Sequence, residues 1–414
     1  MASTHTEITS EHLYLDFSSP AFTHDPYAFY DQLRTQAPIY NNPKKTFFFL
    51  SRYNDVLSTL KHSETFRSNM VEHATFREIY RDNHNDLCPM GLFRQHSMIT
   101  NDEPVHKSQR GLVQSAFTTK ALEALQPFIK RVTNHLLDDI LQGNGCDFTA
   151  AFATPLPTRV ISELLGIPKS DRSMLEAWAK QSTILFEPDA PRIIHQQNAV
   201  MDEAMGYFQS FYKKADQTQI TEVLGRLLVS AAAANKISFI EVVANAVLFF
   251  VAGHETTVNL LANGLYLLLS HEDQKQQLLA HINDDTILDS TIDECLRYES
   301  PVKVISRFAI SSTCISGHEV ERGQAIHCGL AAANRDPEMF SEPHKFQITR
   351  QPNRHLAFGL GPHYCIGALL GRLEAKIAFS ELFKRFPKLR LANQQIKWAP
   401  SNTFRRLESL EVVI

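Results

Sequence analysis

Three groups of residues have types and spacings suited to chemistry. Cys365 stands in Phe358-Gly359-Leu360-Gly361-Pro362-His363-Tyr364-Cys365-Ile366-Gly367, a tight loop of glycines, a proline and aromatics, followed by an amphipathic helix from Ala368. A cysteine at a helix N-terminus meets the positive end of the dipole and unpaired backbone N–H groups, which favour a thiolate, a strongly donating metal ligand. An inert thiol in a turn is the alternative, and the glycine pattern speaks against it. In the second group, Ala252-Gly253-His254-Glu255-Thr256-Thr257 interrupts the apolar stretch Val242–Leu269. A buried carboxylate without a partner costs several kcal/mol, and Gly253 costs about 1 kcal/mol relative to alanine while letting something approach the backbone closely. A polar patch at a helix surface is the competing reading. His254-Glu255 opens like the zinc motif HExxH, but position 258 is valine, so the second ligand is missing. In the third group, Glu294 and Arg297 sit three apart, on one face of a helix that Pro301 ends. Such pairs are usually surface decoration.

These groups need a scaffold. The chain has 414 residues, 43% hydrophobic and 21% charged, a globular composition that excludes disordered and fibrous classes. Lys+Arg 41 against Asp+Glu 45 leaves a formal charge of −4, which argues against nucleic-acid binding. No polybasic block and no signal-peptide pattern appears, and Asn245, His254, Glu255 and Asn259 in the most apolar stretch favour a buried helix over a membrane span. A cytoplasmic location follows as the expectation. The six cysteines form no CxxC pair, and the default for each is a buried free thiol. Periodicity predicts helices over Pro127 to Leu141, stopped by Gly143, and over Pro155 to Leu165, closed by Gly166 and Pro168. Strand signals are confined to Phe47–Leu50 and to the segment between Val304 and Leu330 around Gly317 and Gly323. The expected fold is mainly α: a single domain over 1–414, with a large helical body, a smaller β portion, and an N-terminal extension of about residues 1–24.

Taken together, the motifs resemble the cytochrome P-450 superfamily of haem-thiolate monooxygenases, in its soluble bacterial form. The Cys365 loop is similar to the family's F-x-x-G-x-[RH]-x-C-x-G, Glu294/Arg297 to its E-x-x-R, and Ala252–Thr256 to its [AG]-G-x-[DE]-T. Asp102-Glu103-Pro104-Val105-His106-Lys107-Ser108-Gln109-Arg110 resembles D-x-P-x-H-x-x-x-R, and Asn334 to Phe346 resembles the meander before the haem loop. Lys345 falls where the meander often carries a second arginine for the E-R-R network, and lysine lacks the bidentate fork.

The resemblance implies haem b between the long central helix and the Cys365 loop, with Cys365 as the iron ligand. His106, Arg110, Arg307, His355 and His363 are the implied partners of the two haem propionates. Phe358 would pack near the thiolate, and Gly359 and Gly367 would shape its loop. Ala252 and Gly253 would border dioxygen, Gly253 leaving room for it, while Thr256 would hydrogen-bond it and Glu255 would feed protons through water. The implied substrate is an apolar small molecule, a secondary metabolite being tailored by hydroxylation or epoxidation. Its pocket draws on the loop after Arg67 and on Leu248, Phe249, Val302, Val304, Ile305 and Thr403, with Phe186, Ala252, Asn402 and Phe404 beside them. Desaturation, oxidative coupling and a haem sensor without turnover are the alternatives. No nucleotide-binding motif is present, so electrons are expected from a ferredoxin or flavodoxin with its reductase, docking near Lys345, Arg350, Arg354 and Arg372.

Overall fold

The computed structural model describes residues 16–414, apart from 18, 43–45, 71–78, 82–85, 142, 188–189 and 215–222. Helices dominate it. Those that matter for the site are α1 (Val105–Val113), α2 (Thr119–Ile140), α3 (Pro155–Leu165), α4 (Phe239–Ser270), α5 (Asp285–Tyr298) and α6 (Ala368–Arg385). α4 starts at a capping box in which Ser238 and Glu241 bond to each other's backbone N–H groups. It then runs through the principal core with residues on every side buried. It is the one described helix long and apolar enough to cross a membrane, and it lies mostly buried inside the protein. α3 matches its expected bounds, and Gly166 ends it with φ 78, the left-handed turn glycine permits. α2 begins eight residues before the expected Pro127, capped by Thr118, and carries the proline inside it. The periodicity predicts a start at Pro127, whereas the helix tolerates that proline in its interior.

The largest sheet among the described residues has five strands: β1 (Ile39–Asn41), β2 (Phe47–Leu50), β3 (Phe66–Arg67), β4 (Val304–Ala309) and β5 (Ala325–Gly329). Their order is β1-β2-β5-β4-β3, with only β2 and β5 parallel. Between β4 and β5 a small hairpin turns at Ser316 and Gly317, both at positive φ. The sheet therefore joins the N-terminal quarter of the chain to the strand after α5, and β3 brings Arg67 opposite Phe308, next to Arg307.

Two expectations change here. Residues 20–24 form a helix with Phe22 buried, and Arg405 donates to the carbonyls of Thr23 and His24, so this part of the expected extension is packed against the body. Residues 1–15 lie outside the described set. Cys88, Cys295 and Cys328 are buried as expected, but Cys314 is exposed on the small hairpin and Cys146 is half-buried on a short strand.

Candidate active site

The Cys365 loop is folded by its glycines. Gly359 and Gly361 have φ 68 and 75, and a Cβ on Gly361 would collide with the carbonyl of Leu60. The Cys365 N–H donates to Phe358 O at 2.9 Å, closing the loop, and Arg372 of α6 stacks on the Phe358 ring at 4.4 Å. Burial pushes the Cys365 thiol above its ordinary value, while the Gly367 N–H and the charges of Arg110 and Arg372 pull it down. The helix-terminus argument thus names real contributions, yet they do not outweigh desolvation by themselves. A bound cation would supply the remainder, since a coordinating thiol is deprotonated outright. The residue also keeps exposed surface despite that deep position, as a ligand donor must.

A basic cluster stands beside the loop. Arg110 of α1 donates to Tyr364 O at 2.8 Å, tying the helix to the residue before Cys365. One turn earlier, the His106 ring lies 4.1 Å from the ring of His363. Arg307, on β4, is buried and its recorded side-chain bond is to the neighbouring Ser306 carbonyl. The carboxylate facing this group is Asp102, 3.6 Å from His363 Nε2. Burial, with the charges of His363 and Arg110 behind it, pushes His106 down to about 4, so it stays neutral near pH 7. Two guanidiniums and two imidazoles against one carboxylate leave an excess of positive charge and donors, the complement of a dianionic ligand next to a thiol.

His355 does not join this cluster. Its Nδ1 accepts from Ala357 N at 3.2 Å and its Nε2 faces Asp293 Oδ1 at 3.3 Å, where Arg372 also binds. Both ring nitrogens are occupied, so the expectation of a propionate contact is withdrawn.

On α4, Ala252, Gly253 and Thr256 retain accessible surface while Leu248, Phe249, His254, Glu255 and Thr257 are buried. Thr256 Oγ1 donates to Ala252 O at 2.8 Å. The absent Cβ of Gly253 points at Ile161 of α3, where a methyl would come within 3.1 Å. That glycine therefore admits α3 to the helix. Glu255 lies on the buried side of α4. Its Oε1 accepts from Asn259 at 3.1 Å and lies 3.8 Å from Arg406 Nε, and burial raises its carboxyl above the ordinary value against the pull of Arg406. Asn259 was visible as an i+4 neighbour, whereas Arg406, from the far C-terminus, left no sequence signal.

His254 sits fully buried against Phe250, with neither ring nitrogen bonded among the described residues, and burial pushes it down to about 4. The unfolded chain binds this proton from pH 6.5 downward and the folded one does not until about pH 4, so stability falls as pH drops through that window. His254→Phe is expected to remove this slope. Denaturant unfolding should show the variant gaining about 2 kcal/mol on the parent between pH 7.5 and pH 5. Parallel pH profiles would contradict the assignment.

The expected pocket residues divide. Ile305 reaches to 3.9 Å from the Cβ position of Gly359, and Val302, Ile305 and Leu360 all pack against the core cluster that holds Phe48, Cys328 and Leu356. Val304, one residue from Ile305, points to the opposite face of the strand and packs against the separate cluster that holds Phe22, Tyr27 and Tyr30. It leaves the pocket set. Phe249 stacks on Phe117, and Thr403 and Asn402 lie in the C-terminal turn, where the Asn402 N–H donates to Glu187. The side chain of Phe186 and much of the loop after Arg67 lie outside the described residues.

Glu294, Arg297 and Arg350 form a buried network. Arg297 donates to both Glu294 oxygens at 2.8 Å, and Arg350 Nε approaches both at 3.2 Å. Arg350, not Lys345, is thus the third member. The Lys345 ammonium is exposed and pairs with Glu342, while its carbonyl accepts from both arginines. Buried in this way, Arg350 also drops out of the expected docking patch.

The Cytochrome P450 family model matches residues 158–404. The biotin biosynthesis cytochrome P450 of Bacillus subtilis is 34% identical over 95% of this chain and 98% of its own length. PikC, a cytochrome P450 monooxygenase of Streptomyces venezuelae, is 34% identical over 94% and 91%. Among solved structures, P450BioI in complex with hexadec-9Z-enoic acid ligated acyl carrier protein superposes with a TM-score of 0.85 at 31% identity, over 96% of this chain and 100% of that one. With a thiol-bearing glycine loop, a basic cluster beside it and a polar break in the central helix all in the family's order, the chain belongs to the cytochrome P450 family and is a haem-dependent monooxygenase.

Proposed function

We propose that this monooxygenase inserts one oxygen atom of O2 into an apolar small molecule, by hydroxylation or epoxidation, in the tailoring of a secondary metabolite in the cytoplasm. The observation that carries the cofactor assignment is the pairing of Cys365 with the positive excess of His106, Arg110, Arg307 and His363. That set fits haem b: a sulfur donor for the iron, and guanidinium and imidazole donors for two carboxylates. The bound haem supplies oxygen activation, with the thiolate favouring O–O cleavage. The chain's own residues do the rest. Cys365 is held by Gly367 and the Phe358 carbonyl, and Arg110 locks α1 to its loop. The Thr256 hydroxyl, anchored on Ala252 O, is positioned to relay a proton on the accessible side of α4. Glu255, a carboxyl raised by burial and tied toward solvent through Arg406, is suited to replenish that proton.

The apolar character of the substrate rests on Leu248, Phe249, Val302 and Ile305, with Thr403 as a polar contact. Relatives support the class: one is named for biotin biosynthesis, one for polyketide biosynthesis, and a related structure holds myristic acid. Electrons come in this reading from a ferredoxin or flavodoxin with its reductase, meeting a face where Arg354 and Lys345 are exposed and Arg372 is half-buried.

The test is the absorption spectrum of the reduced protein under carbon monoxide. A Soret band strongly shifted to the red is expected for the parent and absent from Cys365→Ser, whose haem would lack thiolate ligation. An unshifted parent band would remove the haem-thiolate reading.

A further inference from the structure

Asp102 opens the segment Asp102–Arg110, yet the family resemblance gives it no role. In the structure its two carboxylate oxygens are divided among three groups. Oδ1 accepts from Ser68 N at 3.0 Å and faces His363 Nε2 at 3.6 Å, and Oδ2 accepts from Asn69 N at 2.9 Å. Its backbone carbonyl takes the His106 N–H at 2.9 Å, which starts the turn that sets His106 against His363. Ser68 and Asn69 are the first residues after β3, where the chain leaves the sheet. One half-buried side chain therefore joins three segments far apart in sequence. Burial alone would raise its carboxyl, but His363 and the two amides hold it below the ordinary range, so it stays ionised among cations.

We propose that Asp102 is a positioning residue that couples haem loading to the backbone at Ser68 and Asn69, by holding the His363 ring and the exit of β3 on the same carboxylate. This rests on reading His106, Arg307 and His363 as the haem-carboxylate site. When the haem carboxylate takes a hydrogen bond from the His363 ring, that ring is fixed on one side by the ligand and on the other by Asp102. Fixing Asp102 in turn fixes the two amides it accepts from. No proton moves in this role. The carboxylate acts by geometry and charge, as outer partners of ligand-holding groups generally do.

The experiment compares amide hydrogen exchange of apo- and haem-loaded protein with the rate of haem transfer to an excess of apomyoglobin. In the parent, haem loading should slow exchange at Ser68 and Asn69. In Asp102→Asn, which keeps size and one acceptor oxygen, and in Asp102→Ala, those amides should exchange fast with or without haem. Haem release should quicken by about 10–100-fold. Exchange within α4 serves as the control, since a merely destabilised protein would lose protection there too. Arg307→Leu separates the two layers of the argument. If it releases haem faster while both Asp102 variants keep the parent's release rate and haem-dependent protection, the coupling role is overturned and the haem-carboxylate site stands. If Arg307→Leu leaves release unchanged, the site assignment itself fails, and this proposal with it.

Discussion

Replacing Glu294 with glutamine is expected to cost about 3–5 kcal/mol of folding stability, the largest effect of any single substitution considered. Glu294 is fully buried and receives hydrogen bonds from Arg297, Arg350, the Gln347 N–H and the Asn353 amide. Two guanidiniums already share one carboxylate, and their other donors are spent on the carbonyls of Asn334, Ser341, Glu342, Pro343 and Lys345. Glutamine would remove the charge and turn amide donors toward arginine donors, leaving two cations uncompensated out of water. The loss would spread to the site, because Asn334 bonds through its side chain to Leu356 N, on the approach to the Cys365 loop. Denaturant unfolding checks the magnitude. A cost below about 1 kcal/mol would mean that the network is as dispensable as a surface pair.

Thr256→Ala should have the largest catalytic effect that leaves the fold intact. Among the described residues its hydroxyl bonds to Ala252 O on the same helix, and alanine is the better helix former. Haem content and substrate affinity are therefore expected to stay near the parent's. Product formed per electron should fall by about a hundredfold, the lower end of what a positioned proton donor contributes, with the missing electrons recovered as hydrogen peroxide. Thr256→Ser should restore most of the coupling. Glu255→Gln should differ in kind, slowing turnover and enlarging the solvent isotope effect, because the carboxyl supplies protons from the Arg406 side. Unchanged coupling in Thr256→Ala would remove this role from Thr256, and a normal rate in Glu255→Gln would mean that protons arrive by another path.

Much of the site was legible because its chemistry is local. The Cys365 loop needs glycine at positive φ and a helix opening just beyond, and both are written in consecutive residues. The pairing of Glu294 with Arg297, the continuous apolar character of α4 and the strand at Phe47–Leu50 likewise follow from spacings of a few residues.

What the sequence could not decide are partnerships between distant segments. Arg350 was assigned to a docking surface because a meander has no period that reveals burial, and only folding places it on Glu294. His355 matched a propionate position until Asp293, 62 residues earlier in the chain, proved to hold its ring. Val304 failed for a simpler reason: a strand alternates faces, and which face looks at the cofactor is settled by what packs on each. Arg406 and Asp102 are the clearest cases, since each acts by reaching a group far away in the sequence. Local backbone geometry and apolar periodicity thus fixed most of the elements and the candidate thiol ligand. The tertiary structure decided which charges meet, because desolvated charges are tolerated only where the fold brings them a partner.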